Sequence, residues 1–159
     1  MRKLKLYIDT SVVSLLEPSA RPDWTTETLE LWDCIIDGMY TPIISDITIG
    51  ELEKTAEPIK NAIYSHIAKV DVVAAVETEE SLELAEKYIQ HGVLKENKRD
   101  DCRHIALATI LDADYIVSWN FKHFVNVNTI DKVQAVNKLN GYKEIKIISP
   151  QMLGGYDDE

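Results

Sequence analysis

Short β-branched or aromatic runs alternate with longer stretches of helical spacing from the start of this chain almost to its end, and that alternation limits the folds open to it. Residues 3–8 (KLKLYI), 41–45 (TPIIS), 115–119 (YIVSW) and 144–148 (EIKII) read as strands, and 70–76 as a further short extended segment. Between them, residues 24–39 place Leu29, Leu31, Trp32, Ile35 and Ile36 on one helical face and Glu27, Glu30, Asp33 and Asp37 on the other, with Gly38 as the stop. Thr78 with Glu80 or Ser81 opens another amphipathic helix that ends at His91-Gly92, and residues 58–69 and 129–139 read as two more. Thr10 and Ser11 offer caps to a short helix before Pro18, and Ser45 or Asp46 caps the one that carries Glu51. A β-α alternation of this kind predicts an α/β fold: a three-layer α/β/α sandwich around a mainly parallel sheet.

The 159 residues suit one domain, expected over residues 1–153, with an acidic, frayed tail at 154–159. No apolar run approaches the ~20 residues of a membrane-spanning helix. The stretch behind the basic Met1-Arg2-Lys3 is too short and too charged for a signal peptide. Cys34 and Cys102 lie far apart without a CxxC motif, which removes support for a disulfide framework or a zinc site. Both read as small buried hydrophobes in a protein of the reducing cytoplasm. A formal net charge of -10 is the wrong sign for holding nucleic acid by counterion release alone. It does not count against a metal-dependent nuclease, since bound divalent cations invert the local potential where a phosphate must sit.

In an open parallel sheet, ligands bind outside the carboxyl ends of the strands. Asp9, Asp46 and Asn120 each follow a predicted strand, while Glu51 and the pair Asp100-Asp101 lie near helix starts that face the same edge. Converging carboxylates repel by about 4 kcal/mol at ~4 Å and an effective dielectric near 20. A hard divalent cation relieves that repulsion, and an all-oxygen set suits Mg2+ or Mn2+ better than zinc. The chemistry implied is metal-assisted phosphodiester hydrolysis, with a water activated for in-line attack on phosphorus.

Four strings carry a further inference: YIDTSVV (7–13), SDITIGELEKT (45–55), DCRHIALAT (101–109) and YIVSWNFKHF (115–124). In order and over nearly the whole chain, they resemble the motifs of the PIN-domain ribonucleases, including the VapC-type toxins of toxin-antitoxin pairs. The resemblance implies a metal-dependent endoribonuclease using Mg2+ or Mn2+, an RNA substrate, a homodimer, and a small antitoxin that blocks the site. It also implies Asp9, Glu51 and Asp101 as metal ligands, Asn120 as the fourth catalytic position, and Thr10 and Ser11 as supports. Two departures reduce the negative charge of the site: Asn120 and His123 stand where many members carry acids.

Each candidate has a plainer reading beside it. Asp100 can exchange roles with Asp101 as helix cap and ligand, Asn120 can start a turn, and Asp46 reads better as a cap than as a ligand. His104, one helical turn beyond Asp101, reads as a packed, hydrogen-bonded histidine before it reads as a ligand, and Trp119 as core before base-stacking platform. Lys98, Arg99, Arg103 and Lys122 cluster in sequence around the expected site and are candidate contacts to an RNA backbone, with solvated surface as the alternative. Two other functions compete. One is a degenerate PIN-like module that binds RNA or protein without cutting. The other is a haloacid-dehalogenase-type phosphatase, which wants a second Asp where this chain has Ser11.

Overall fold

Side chains alternate across a strand, and here neighbouring residues of each strand are divided between two apolar cores, one on each face of a single sheet. The computed structural model describes residues 2–18 and 20–153, so the expected tail at 154–159 lies outside the described residues. Its sheet contains β1 (Leu4–Ile8), β2 (Tyr40–Ser45), β3 (Val73–Ala75), β4 (Tyr115–Val117) and β5 (Lys146–Ile148) in the order β3-β2-β1-β4-β5. Every pairing is parallel. The fold class is therefore the expected α/β sandwich, with a wholly parallel sheet.

One face takes Tyr7, Ile43, Ala75, Ile116 and Ile147 from the strands. They pack under α5 (Glu79–Gln90), α6 (Arg99–Ile110) and α7 (Val127–Leu139). The other face takes Leu6, Ile8, Ile44, Val117 and Ile148, covered by α1 (Thr10–Ser14), α2 (Pro22–Ile36) and α4 (Ile59–Ile67). A short α3 (Asp46–Leu52) joins the two, giving Ile47 to the first core and Leu52 to the second. No described helix is long and apolar enough to cross a membrane.

Helix α6 is the most enclosed: every residue from Cys102 to Thr109 is buried except Arg103. Its Ala106 and Ala108 allow the close approach to the sheet below and α5 above that such a position requires. Its end is a Schellman turn with Asp112 at φ 54°, Asp112 N–H donating to Thr109 and Ala113 N–H to Ala108. Gly38 at φ 85° closes α2 in the same way, as read from the sequence.

Several expectations change in detail. The third predicted strand stops at Val117, because Trp119 N–H leaves the ladder to donate to Ser11 Oγ at 2.9 Å. The last strand begins only at Lys146, since the Ile145 N–H is taken by the Gln134 side chain at 3.1 Å. The polar stretch before α6 contains a 3-10 turn over Glu96–Lys98, and α6 starts at Arg99 rather than at the Asp pair. Thr10 does not cap α1 but begins it, with Asp9 at the cap position. Cys102 is buried as expected, but Cys34 is only half-buried, on the flank of α2 between buried Ile35 and exposed Asp33.

Candidate active site

The central position of β1 decides where the first acid goes. With β2 and β4 on either side, the end of β1 opens at the middle of the carboxyl edge, and Asp9 is the residue that emerges there, 5% exposed. Its Oδ2 accepts hydrogen bonds from Ser11 Oγ at 2.7 Å and Ser118 Oγ at 2.8 Å. Ser118 is the first residue beyond β4, and its hydroxyl also accepts the Asn120 N–H at 2.9 Å. The hydroxyls expected as helix caps therefore hold carboxylates instead: Thr10 Oγ1 donates to Glu51 Oε1 at 2.9 Å.

Glu51 comes from α3, which Ser45 caps by accepting the Thr48 N–H. Asp46, the alternative cap, turns outward and accepts the Glu77 N–H. Asp101 projects from the first turn of α6, and its Oδ2 stands 2.9 Å from His123 Nδ1. Asp100 points away to Arg103 at 2.8 Å. Of the two acids, Asp101 is the one that joins the group. Asn120 Oδ1 accepts the His123 N–H at 2.9 Å, forming the turn that aims the His123 ring at Asp101.

His104 links these parts. It is 1% exposed, its Nε2 lies 2.6 Å from Glu51 Oε1 and 3.8 Å from Asp9 Oδ1, and its Nδ1 lies 2.7 Å from the Tyr7 hydroxyl. Because the Tyr7 O–H donates to Ser45 Oγ at 2.8 Å, Nδ1–H of His104 donates to Tyr7 and Nε2–H donates to Glu51. That arrangement is the one the doubly protonated ring makes. Burial works against that charge, but the Glu51 hydrogen bond and the charges of Asp9, Glu51 and Asp101 outweigh it and raise the imidazole pKa. For Glu51, burial acts upward, and the His104 and Thr10 hydrogen bonds overcome it to leave the carboxyl below its ordinary range. Asp101 goes the other way: burial, reinforced by the charge of Asp9, raises it despite His123.

His104 is thus packed and hydrogen-bonded, as read from the sequence, but its partners are the candidate acids themselves. Sequence reasoning does not single out Ser118 or Tyr7. The two-residue alternation places Tyr7 opposite Leu6 and Ile8, but nothing in the sequence pairs it with His104, 97 residues away. Trp119 is core as expected, 3% exposed, stacked on Trp24 at 4.7 Å and donating from its indole to Thr28. Two of the cations around the site are consumed: Arg103 by Glu77 and Asp100, Arg99 by Glu86 and Glu96. Lys98 and Lys122 have no carboxylate partner among the described residues.

Among the described residues, no three His, Cys, Asp or Glu side chains stand in a ready metal-holding group. Each acid uses one oxygen for the bonds above, and Asp9 Oδ1, Glu51 Oε2 and Asp101 Oδ1 accept no hydrogen bond there. Carboxylate oxygens left without a donor are what a hard cation takes, and Mg2+ commonly binds through one or two carboxylates with water completing its shell. The donor chemistry fits such an ion at Asp9 with Glu51 or Asp101, while the described side chains do not stand as a three-carboxylate cage.

No family model and no curated protein sequence matches the chain. Solved structures do match in fold. The VapC20 toxin of Mycobacterium tuberculosis, described as cleaving the sarcin-ricin loop, aligns over 87% of this chain and 97% of its own, at a TM-score of 0.57 and 14% identity. VapBC2 of Rickettsia felis, solved bound to a DNA fragment from its promoter, aligns over 92% and 98%, at 0.54 and 17%. The chain has the VapC-type PIN fold.

Proposed function

We propose that this protein is a metal-dependent endoribonuclease of the toxin type, acting in the cytoplasm, with Asp9, Glu51, Asp101 and Asn120 as its catalytic set. The supporting observation is the meeting of three acids from β1, α3 and α6 at the carboxyl edge of a parallel sheet, on a fold shared with a toxin described as cleaving the sarcin-ricin loop. Mg2+ or Mn2+ held by Asp9 with Glu51 or Asp101 would supply Lewis-acid polarisation of the phosphate and an acidified water. The rest belongs to the chain. Ser11 and Ser118 fix Asp9 so that its other oxygen faces the site, and His104 holds a proton at Nε2 against Glu51. His123 orients Asp101 and is the more exposed of the two imidazoles, placed to pass a proton to a leaving oxygen. The likeness to VapBC2 supports a small antitoxin partner for this reading, and the motif resemblance adds a homodimer.

The test is incubation of the purified protein with single-stranded RNA and Mg2+ or Mn2+. Cleavage that disappears in Asp9→Asn is expected. No cleavage in either metal, or cleavage untouched by that substitution, overturns the proposal. Asn120 and the imidazole-bonded acids favour one second reading, a PIN-like module that binds without cutting. Calorimetry separates the two, since that module would bind RNA and take up no divalent ion.

A further inference from the structure

Beside the acids lies a cleft of about 820 Å³, within the size range of ligand-binding clefts. Its floor is Ile89, Val93 and Leu94 at the end of α5, and its rim carries Lys95, Lys98, Lys122 and Lys132 against one carboxylate, Glu96. In a chain with 27 acidic residues and 17 basic ones, four lysines around one opening are out of proportion. Glu96, the rim's acid, stands 3.5 Å from Arg99, Lys132 donates to the Gly92 carbonyl at 3.2 Å, and Lys95, Lys98 and Lys122 have no carboxylate or hydrogen-bond partner for their ammonium groups among the described residues. Arg99 and Arg103, beside them in sequence, are neutralised by nearby acids, so of the basic side chains next to the candidate site it is the lysines of the cleft that keep an unpaired charge.

The cleft adjoins the candidate active site through His123. His123 is one of its lining residues, and its Nδ1 stands 2.9 Å from Asp101 Oδ2. A polymer with a phosphodiester at the acids therefore has its neighbouring phosphates within reach of the lysines and an apolar floor beneath its bases. We infer that this cleft is the track along which one flank of a single-stranded RNA lies, with Lys95, Lys98 and Lys122 taking successive backbone phosphates. This rests on the ribonuclease reading and adds to it a location: the strand is held on the α5–α7 side of the acids. Lysine grips phosphate as a point charge, so the track provides affinity rather than base choice.

The experiment compares two charge-matched triple variants in an Asp9→Asn background: Lys95→Gln/Lys98→Gln/Lys122→Gln in the cleft, and Lys60→Gln/Lys69→Gln/Lys143→Gln away from it. Fluorescence anisotropy with a labelled single-stranded RNA of roughly 20 nucleotides is read over a range of salt concentrations. Each phosphate that a lysine no longer neutralises on a single strand lowers the slope of log K against log salt by about 0.7, so the cleft triple is expected to lose about 2 and the control triple almost nothing. In the otherwise wild-type enzyme the cleft triple should raise KM more than it lowers kcat. Equal losses in both triples would mean that only net charge matters, and would overturn the track. So would poly-glutamate that binds as tightly as RNA and is lost in the same triple, which would assign the cleft to an acidic protein. If wild type cuts RNA and the cleft triple cuts it with unchanged KM and salt slope, the track fails while the ribonuclease reading stands. If the Asp9→Asn protein binds no RNA, the track fails, and wild-type cleavage decides separately whether the ribonuclease reading falls with it.

Discussion

Two buried tyrosines meet helix α6, Tyr7 at its middle and Tyr88 near its C-terminal end, and their surroundings differ in an instructive way. Tyr88 donates to Asn137 Oδ1 at 2.5 Å and lies 3.3 Å from Thr109 Oγ1, and Asn137 Nδ2 reaches back to Thr109. Every member of that network is neutral and enclosed. Tyr7 donates to Ser45 and accepts from His104, but the chain continues to Glu51, which is half-open, and to Asp9. A closed neutral network fixes α5, α6 and α7 together. One that runs outward to charges at a sheet edge holds groups in place for something beyond the protein.

Substitutions can break that distinction. The largest effect is expected at Asp9: Asp9→Asn should lower RNA cleavage by roughly 100-fold or more, while the melting temperature stays within a few degrees because the amide oxygen still accepts from Ser11 and Ser118. Asn137→Leu should do the reverse. Leaving the Tyr88 hydroxyl short of its partner costs about 1–3 kcal/mol, a fall of several degrees for a chain of this size, with cleavage by the folded enzyme unchanged. If Asn137→Leu abolished cleavage without unfolding, or Asp9→Asn mainly unfolded the protein, the two networks would not differ in kind.

A smaller effect depends on pH. The His104 pKa is raised in the folded state, so its contribution to stability is full below about 6.5 and is lost as pH rises through the folded value. Glu51 is lowered, so its contribution is lost only in acid, outside that window. Thermal melts from pH about 6 to about 9 should show wild type losing stability relative to His104→Gln, whose profile is flatter. The smallest effect is predicted at Ser149, whose buried Oγ has no partner among the described residues. Ser149→Ala should leave the melting temperature unchanged or slightly higher and cleavage intact.

What can be read from the sequence follows the range of the interactions. Strand alternation and the Gly38 and Gly92 stops are local signals, and they place the strands, the two cores and the acids at the strand ends. The division of labour at the edge is not local. Whether Thr10 caps a helix or holds Glu51 depends on where α3 comes to rest, 41 residues along. His104 reads as a packed histidine because composition shows burial tendency but not partners 53 and 97 residues away. Likewise, four cations close together in sequence look equivalent. The fold pairs Arg99 with Glu86 of α5 and Arg103 with Glu77 before it, and brings Lys132 from α7 to the side of Lys98, which no linear window contains.

The central place of β1 also affects timing. Its partner β4 lies more than 100 residues later, and Ser118, which holds Asp9, lies 109 residues later. Pairings so distant in sequence close late, after local helices have formed. Asp9 is synthesised 109 residues ahead of Ser118, and its pocket cannot exist until that stretch has followed. A nascent chain still attached to its own messenger therefore carries the acid without the site.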